Sequence, residues 1–166
     1  MNEAAAVVHP FAPVYDRESR VLVLGTMPSP ASRARGFYYG HPRNRFWQVL
    51  PAVFGEPFPR TVEERRSLAL RRGIALWDVL ASCEICGAAD STIRNPVCND
   101  LRSLIAKTRI TRVFTTGTKA HALYMRLGLP LTGLPAEALP STSGANARYS
   151  LEELTERYRA LRTEQC

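Results

Sequence analysis

The stretch GFYYGHPRNRFWQVL, Gly36 to Leu50, sets five aromatics around a His-Pro-Arg-Asn-Arg block. An asparagine amide carries a donor and an acceptor on one planar group, so Asn44 can hold a water or the edge of a heterocycle. Arginines suit phosphate, and aromatics interleaved with them suit stacking on a base. A helix N-terminus packed by aromatics accounts for Phe46 and Trp47 in this stretch. It does not account for Tyr38 and Tyr39 ahead of a His-Pro turn, or for Arg43 and Arg45.

Two further loops could carry chemistry. GTMPSPAS, Gly25 to Ser32, is neither G-x-G-x-x-G nor a P-loop, and alone it reads equally as a turn after a strand. LPSTSGANA, Leu139 to Ala147, gathers hydroxyls and backbone N–H groups that can grip a phosphate. A plain polar loop has the same local composition.

Charge points the same way as the first stretch. The 166-residue chain has a formal net charge of +7, which favours a polyanionic partner. Between Glu18 and Glu56 there is no carboxylate, while Arg20, Arg33, Arg35, Arg43 and Arg45 fall in that interval. A solvated face usually mixes signs, so the interval reads as an anion-contacting surface. Lys107 and Lys119 are the only lysines, which limits covalent amine chemistry. Cys83 and Cys86 form C-x-x-C, a redox pair or half a metal site. The spacings to Cys98 and Cys166 complete no usual zinc pattern, and reduced thiols are expected. An apolar run of about 18 residues is absent, so no membrane span is expected. The start has no basic region ahead of its apolar patch, so a secretory signal is not expected and a cytoplasmic location is.

The elements that must position these loops alternate. Residues 1–19 read as a loose N-terminal arm, and 20–166 as a single domain. Val21 to Leu24 is a short buried parallel strand stopped by Gly25. FWQVLPAVFG reads as a helix that Pro42 could seat and Pro51 should kink or end. TVEERRSLALRRG is a helix closed by Gly73, and GIALWDVLASCEI begins as a second strand. STIRNPVCND reads as a loop, and DLRSLIAKT as a helix capped by Asp100. ITRVFTTG is a third strand, TKAHALYMRLG a helix, and the segment before Pro140 a fourth strand. Ser150 and Glu153 form a capping box. Leu151, Leu154, Tyr158 and Leu161 then share one helical face, and Glu153 and Arg157 are spaced for an ion pair. Such alternation implies an α/β fold with a parallel sheet covered on both faces. Ligands of such sheets bind at the carboxyl edge of the strands.

GTMPS, YYGHPRNRFW and LPSTS, in this order, resemble the uracil-DNA glycosylase superfamily, and within it the hypoxanthine-DNA glycosylase family most. The likeness runs over residues 20–162 and includes STIRNP and the last helix. It implies a three-layer α/β/α fold around a four-stranded, mainly parallel sheet. It also implies a monofunctional glycosylase of base excision repair, without lyase activity. Hypoxanthine would be its first substrate, with uracil or xanthine after it. Flipping is required because the glycosidic bond is inaccessible in the stack. Water as nucleophile needs no metal and no cofactor. The partner would be DNA with a damaged base, with no membrane and no obligate protein partner, and the chain would act as a monomer.

Residue by residue, the resemblance makes Asn44 catalytic, because Met27 stands where mismatch-specific relatives carry a water-positioning Asn. Gly25, Thr26, Met27, Pro28, Tyr39 and His41 would line the base pocket, with Tyr39 stacking on the base and His41 setting a turn with Pro42. Ser141, Thr142 and Ser143 would grip the phosphate, and Gly144 to Arg148 would lie toward the minor groove. Gly144 stands where many members carry proline. Arg43 and Arg45 would face phosphate or hold their loop. A lesion-binding module with little turnover, or a nucleoside hydrolase, would share the sheet-edge placement.

Overall fold

A computed structural model describes residues 4–86 and 90–162, so Cys166 and the first three residues lie outside it. Its centre is a four-stranded sheet in the order β3-β2-β6-β7. The strands are β2 (Val21–Gly25), β3 (Ile74–Asp78), β6 (Arg112–Thr116) and β7 (Ala136–Leu139). Every pairing in it is parallel. β2 is buried throughout, as a central parallel strand must be. Its period of two sends Val21 and Val23 into one core and Leu22 and Leu24 into the other.

The first core is closed by three helices: α2 (Phe46–Phe54), α3 (Val62–Arg71) and α7 (Leu151–Tyr158). α3 starts at the Thr61 cap, whose hydroxyl accepts from Glu64 N–H. α7 carries the expected capping box at Ser150 and Glu153. Leu154, Tyr158 and Leu161 are buried, but Leu151 is exposed. The expected Glu153–Arg157 pair does not form. Glu153 bonds back to Ser150 N–H, and Arg157 lies over the Tyr149 ring.

α2 also departs from expectation. It begins at Phe46, beyond Pro42, and runs through Pro51 to a left-handed Gly55 cap. Pro51 costs one ladder bond, but its own carbonyl accepts from Gly55 and Glu56 N–H, so the last turn closes.

The second core lies under α4 (Leu101–Ala106), α5 (Thr118–Leu123) and α6 (Leu129–Thr132), with a π-helical turn at Tyr124–Gly128 between the last two. It is completed by a second sheet, antiparallel and three-stranded, in the order β1-β4-β5. That sheet was not expected. β1 (Ala5–Val8) comes from the supposedly loose arm and pairs with β4 (Leu80–Ile85). β5 (Arg94–Cys98) comes from the supposed STIRNPVCND loop. Pro96 hides the strand from a sequence reading, yet a proline is tolerated on an edge strand, which β5 is. The arm packs further on: Val14 is fully buried and bridges to Leu76.

Candidate active site

A cavity of about 470 Å³ opens at the carboxyl edge of β2, β3 and β6. The end of β2 supplies Gly25, and the loop after it supplies Thr26, Met27 and Pro28 and leads into α1 (Pro30–Arg35), capped by Ser29. β3 ends there in Asp78, and β6 in Thr116. Tyr39, His41, Arg43 and Asn44 enter from the loop before α2, and Ser143 and Gly144 from the loop after β7.

The aromatics of the opening stretch form a rigid wall. Trp47 Nε1 donates to the Tyr38 carbonyl at 2.9 Å, and Tyr38 Oη donates to the Ala12 carbonyl at 3.1 Å. Tyr39 stacks on Phe46 with centroids 3.9 Å apart and 14° between planes. Its φ is +54°, the left-handed region, which costs a non-glycine residue on the order of 1–3 kcal/mol. The stack on Phe46 and the 3.5 Å contact of its hydroxyl with Thr116 hold it there. Burial, reinforced by the Asp78 carboxyl, pushes the Tyr39 phenol well above its ordinary pKa, so it is neutral and no base.

Asn44 is oriented without ambiguity. Its Oδ1 accepts from Phe46 N–H at 2.9 Å and from the Thr142 hydroxyl at 2.8 Å. A backbone N–H can only donate, so the oxygen must face it and the amide cannot be flipped. Both acceptor positions of Oδ1 are filled, and Nδ2 has no partner among the described residues. What Asn44 offers the cavity is therefore a donor.

The loop after β7 is tied to the same block. Arg45 N–H donates to the Thr142 carbonyl at 2.9 Å. The Arg45 guanidinium donates to the carbonyls of Tyr149 at 2.6 Å and Asn146 at 2.8 Å. Arg45 thus holds the loop. Thr142 is buried with its hydroxyl on Asn44, so that hydroxyl does not meet phosphate. Ser141 and Ser143 accept from Ser143 N–H and Ala145 N–H, which leaves each hydroxyl proton to donate. Arg43 and Arg148 are exposed. His41 accepts from Arg43 N–H through Nδ1 at 3.0 Å, a turn contact. Gly144 is required by close approach: a Cβ there would lie 2.7 Å from Arg43 Cβ.

Sequence reasoning missed Asp78, the only carboxylate among the described cavity residues. Its Oδ2 lies 2.8 Å from His9 Nε2, and both side chains are almost fully buried. Asn99 fixes the corner by donating to the carbonyls of Asp78 and Leu80. Burial raises the pKa of the Asp78 carboxyl, and His9 opposes the rise. A carboxylate ending a predicted strand at the ligand-binding edge was the available signal; nothing local announces His9. Among the described residues no cluster of three or more His, Cys, Asp or Glu could hold a metal ion. Burial pushes the Cys98 thiol up to about 11. No helix among the described residues is long and apolar enough to cross a membrane.

The molecule is thus an α/β/α sandwich whose cavity, at the carboxyl edge of the sheet, is lined by an aromatic, Tyr39, and an amide, Asn44. The model of the uracil DNA glycosylase superfamily matches residues 12–162, and the chain belongs to that superfamily. It is 35% identical over 144 residues to a hypoxanthine DNA glycosylase of Methanosarcina acetivorans, covering 84% of this chain and 89% of that one. To a hypoxanthine DNA glycosylase of Methanosarcina barkeri it is 32% identical over 139 residues, covering 83% and 87%. A solution NMR structure of a candidate uracil DNA glycosylase from Methanosarcina acetivorans superposes with a TM-score of 0.76 at 31% identity, covering 91% of this chain and 96% of that one.

Proposed function

We propose that the chain is a monofunctional DNA glycosylase of base excision repair that flips a deaminated base out of DNA and hydrolyses its N-glycosidic bond. Hypoxanthine is its first substrate, with uracil and xanthine after it. The observation that carries this reading is the meeting of Tyr39 and the free amide donor of Asn44 in one cavity at the sheet edge.

The base stacks on Tyr39, which Phe46 backs from behind. Asn44 Nδ2 donates to an oxygen on which negative charge grows as the base departs. A donor fixed in advance toward such charge needs no reorganisation during the reaction. With Oδ1 filled, Asn44 is not a base toward water; the oxocarbenium-like sugar meets water with little activation. Ser141, Ser143, Arg43 and Arg148 contact the strand's phosphates, while Arg45 and Thr142 keep the two loops in register. Neither Lys107 nor Lys119 lines the cavity, which supports a mechanism without a Schiff base. The chain acts as a monomer in this reading, and we place its work in the cytoplasm.

The test is incubation with duplexes carrying a single inosine, uracil or xanthine, followed by alkali to cleave abasic sites. Strand breaks at inosine are expected to exceed those at the other two lesions. Salt-sensitive binding with no break at any lesion would overturn the reading.

A further inference from the structure

The N-terminal segment delivers His9 to the back of the cavity, where its Nε2 takes one oxygen of Asp78. The other oxygen, Oδ1, has no partner among the described residues. It leans over the end of β2 so closely that a Cβ at Gly25 would lie 2.6 Å from it. The cavity thus presents a fixed donor, Asn44 Nδ2, and an unused acceptor, Asp78 Oδ1. A carbonyl beside a ring N–H needs one of each. Deamination creates that pair on hypoxanthine and uracil, whereas adenine and cytosine carry a bare ring nitrogen beside an amine.

A buried carboxyl without a partner would be free to carry its proton on either oxygen, as donor or acceptor. His9 removes that freedom. Whether the proton between them sits on Nε2 or on Oδ2, it lies on the line joining the two groups, and Oδ1 is left an acceptor. His9 Nδ1 is buried with no partner. An orphaned N–H there would be costly, which favours the tautomer with its proton on Nε2, aimed at Oδ2. Aromatic neighbours seat the imidazole in this position, with Phe11 at 5.0 Å and Tyr38 at 5.9 Å between ring centroids.

We propose that His9 is a positioning residue that sets base preference through Asp78, keeping the proton off the cavity-facing oxygen so that it accepts from a ring N–H. Resting on the glycosylase reading above, the proposal makes the N-terminal segment part of the site. A base with a bare ring nitrogen then meets an acceptor and is refused.

Binding is measured to duplexes carrying 2′-fluoro-deoxyinosine or 2′-fluoro-deoxyadenosine, which resist cleavage, for wild type, His9→Ala and His9→Gln. Wild type prefers the inosine duplex. His9→Ala reduces that preference about ten- to a hundredfold, the worth of a hydrogen bond to a charged group. The glutamine amide donates as the imidazole does, so His9→Gln keeps the preference within about threefold of wild type. Thermal melting establishes that the variants fold. If His9→Ala does not fold, Asp78→Asn takes its place: His9 Nε2–H claims the amide oxygen, Nδ2 faces the cavity as a donor, and the preference is lost at least as far as expected of His9→Ala, whereas an unchanged preference there overturns the proposal. On the unaltered protein, a 7-deaza hypoxanthine binds as hypoxanthine does and an N1-methyl hypoxanthine binds far more weakly. The proposal is overturned by an unchanged preference in folded His9→Ala, by equal losses in His9→Ala and His9→Gln, or by full binding of the N1-methyl base. Turnover lost with preference intact in Asp78→Ala also overturns it, because Asp78 then acts on water. Failure of wild type to excise hypoxanthine at all would instead strike the glycosylase reading.

Discussion

Two walls of the cavity hold a polar group toward the same space by different means. On one, Asn44 is fixed by Phe46 two residues on and by a loop that Arg45 ties to the same block. On the other, Asp78 ends a strand and is held by His9, 69 positions earlier in the chain. The first is built by turn geometry and survives as a contiguous sequence block. The second exists only because β1 pairs with β4 and carries the N-terminal segment across the back of the sheet edge. Local architecture writes chemistry into a motif, whereas topology assembles it from residues that look ordinary where they stand.

The contrast can be broken most sharply at the Asn44 wall. In the mechanism proposed above, Asn44→Ala removes the donor to the departing base, and excision of hypoxanthine should fall about 10²–10³-fold in single-turnover assays. The same change removes the acceptor for Phe46 N–H and lowers stability by about 1 kcal/mol in denaturant titration. The Asp78 wall is reached by Gly25→Ala. The new methyl collides with Oδ1, so either Asp78 or the strand end must move. A stability loss of about 1–3 kcal/mol and a weaker inosine preference should accompany it. Arg43 and Arg45 separate contact with DNA from support of the site. Arg43→Ala should weaken duplex binding irrespective of the lesion and reduce its salt slope by about one. Arg45→Ala should lower the melting temperature and leave the salt slope unchanged.

A gentler probe of the second wall is pH. Burial raises the Asp78 pKa, so its contribution to stability is fullest below the ordinary carboxylate range and declines as pH rises through the raised value. Asparagine does not titrate. The stability of Asp78→Asn relative to wild type should therefore improve as pH rises, measured by thermal melting across that range. Tyr38 and Tyr39 also feel the Asp78 charge, and burial keeps both phenols neutral there.

What could be read from the chain follows the same division. Val21 to Leu24, the β6 run and the Ser150–Glu153 capping box signal their elements through local pattern, and each forms where expected. The loops bearing Gly25 to Pro28, Tyr39, Asn44 and Ser143 were recognisable by composition, and the fold gathers them around one cavity. The antiparallel sheet was not legible, because β5 contains a proline and β1 is four residues of an apolar patch. Its stability is tertiary, from the second core. The inward turn of Thr142 and the tether of Arg45 were hidden for the same reason. Both depend on two loops about a hundred residues apart lying against each other.

The claim that the donor half of Asn44 does the chemistry is tested most directly by Asn44→Asp. The aspartate keeps an oxygen for Phe46 N–H and the Thr142 hydroxyl, so the fold and its melting temperature should hold. It lacks the N–H₂ group, and single-turnover excision of hypoxanthine should fall as far as in Asn44→Ala. Excision by Asn44→Asp at the wild-type rate would contradict the account and reduce Asn44 to an acceptor for Phe46 N–H and the Thr142 hydroxyl.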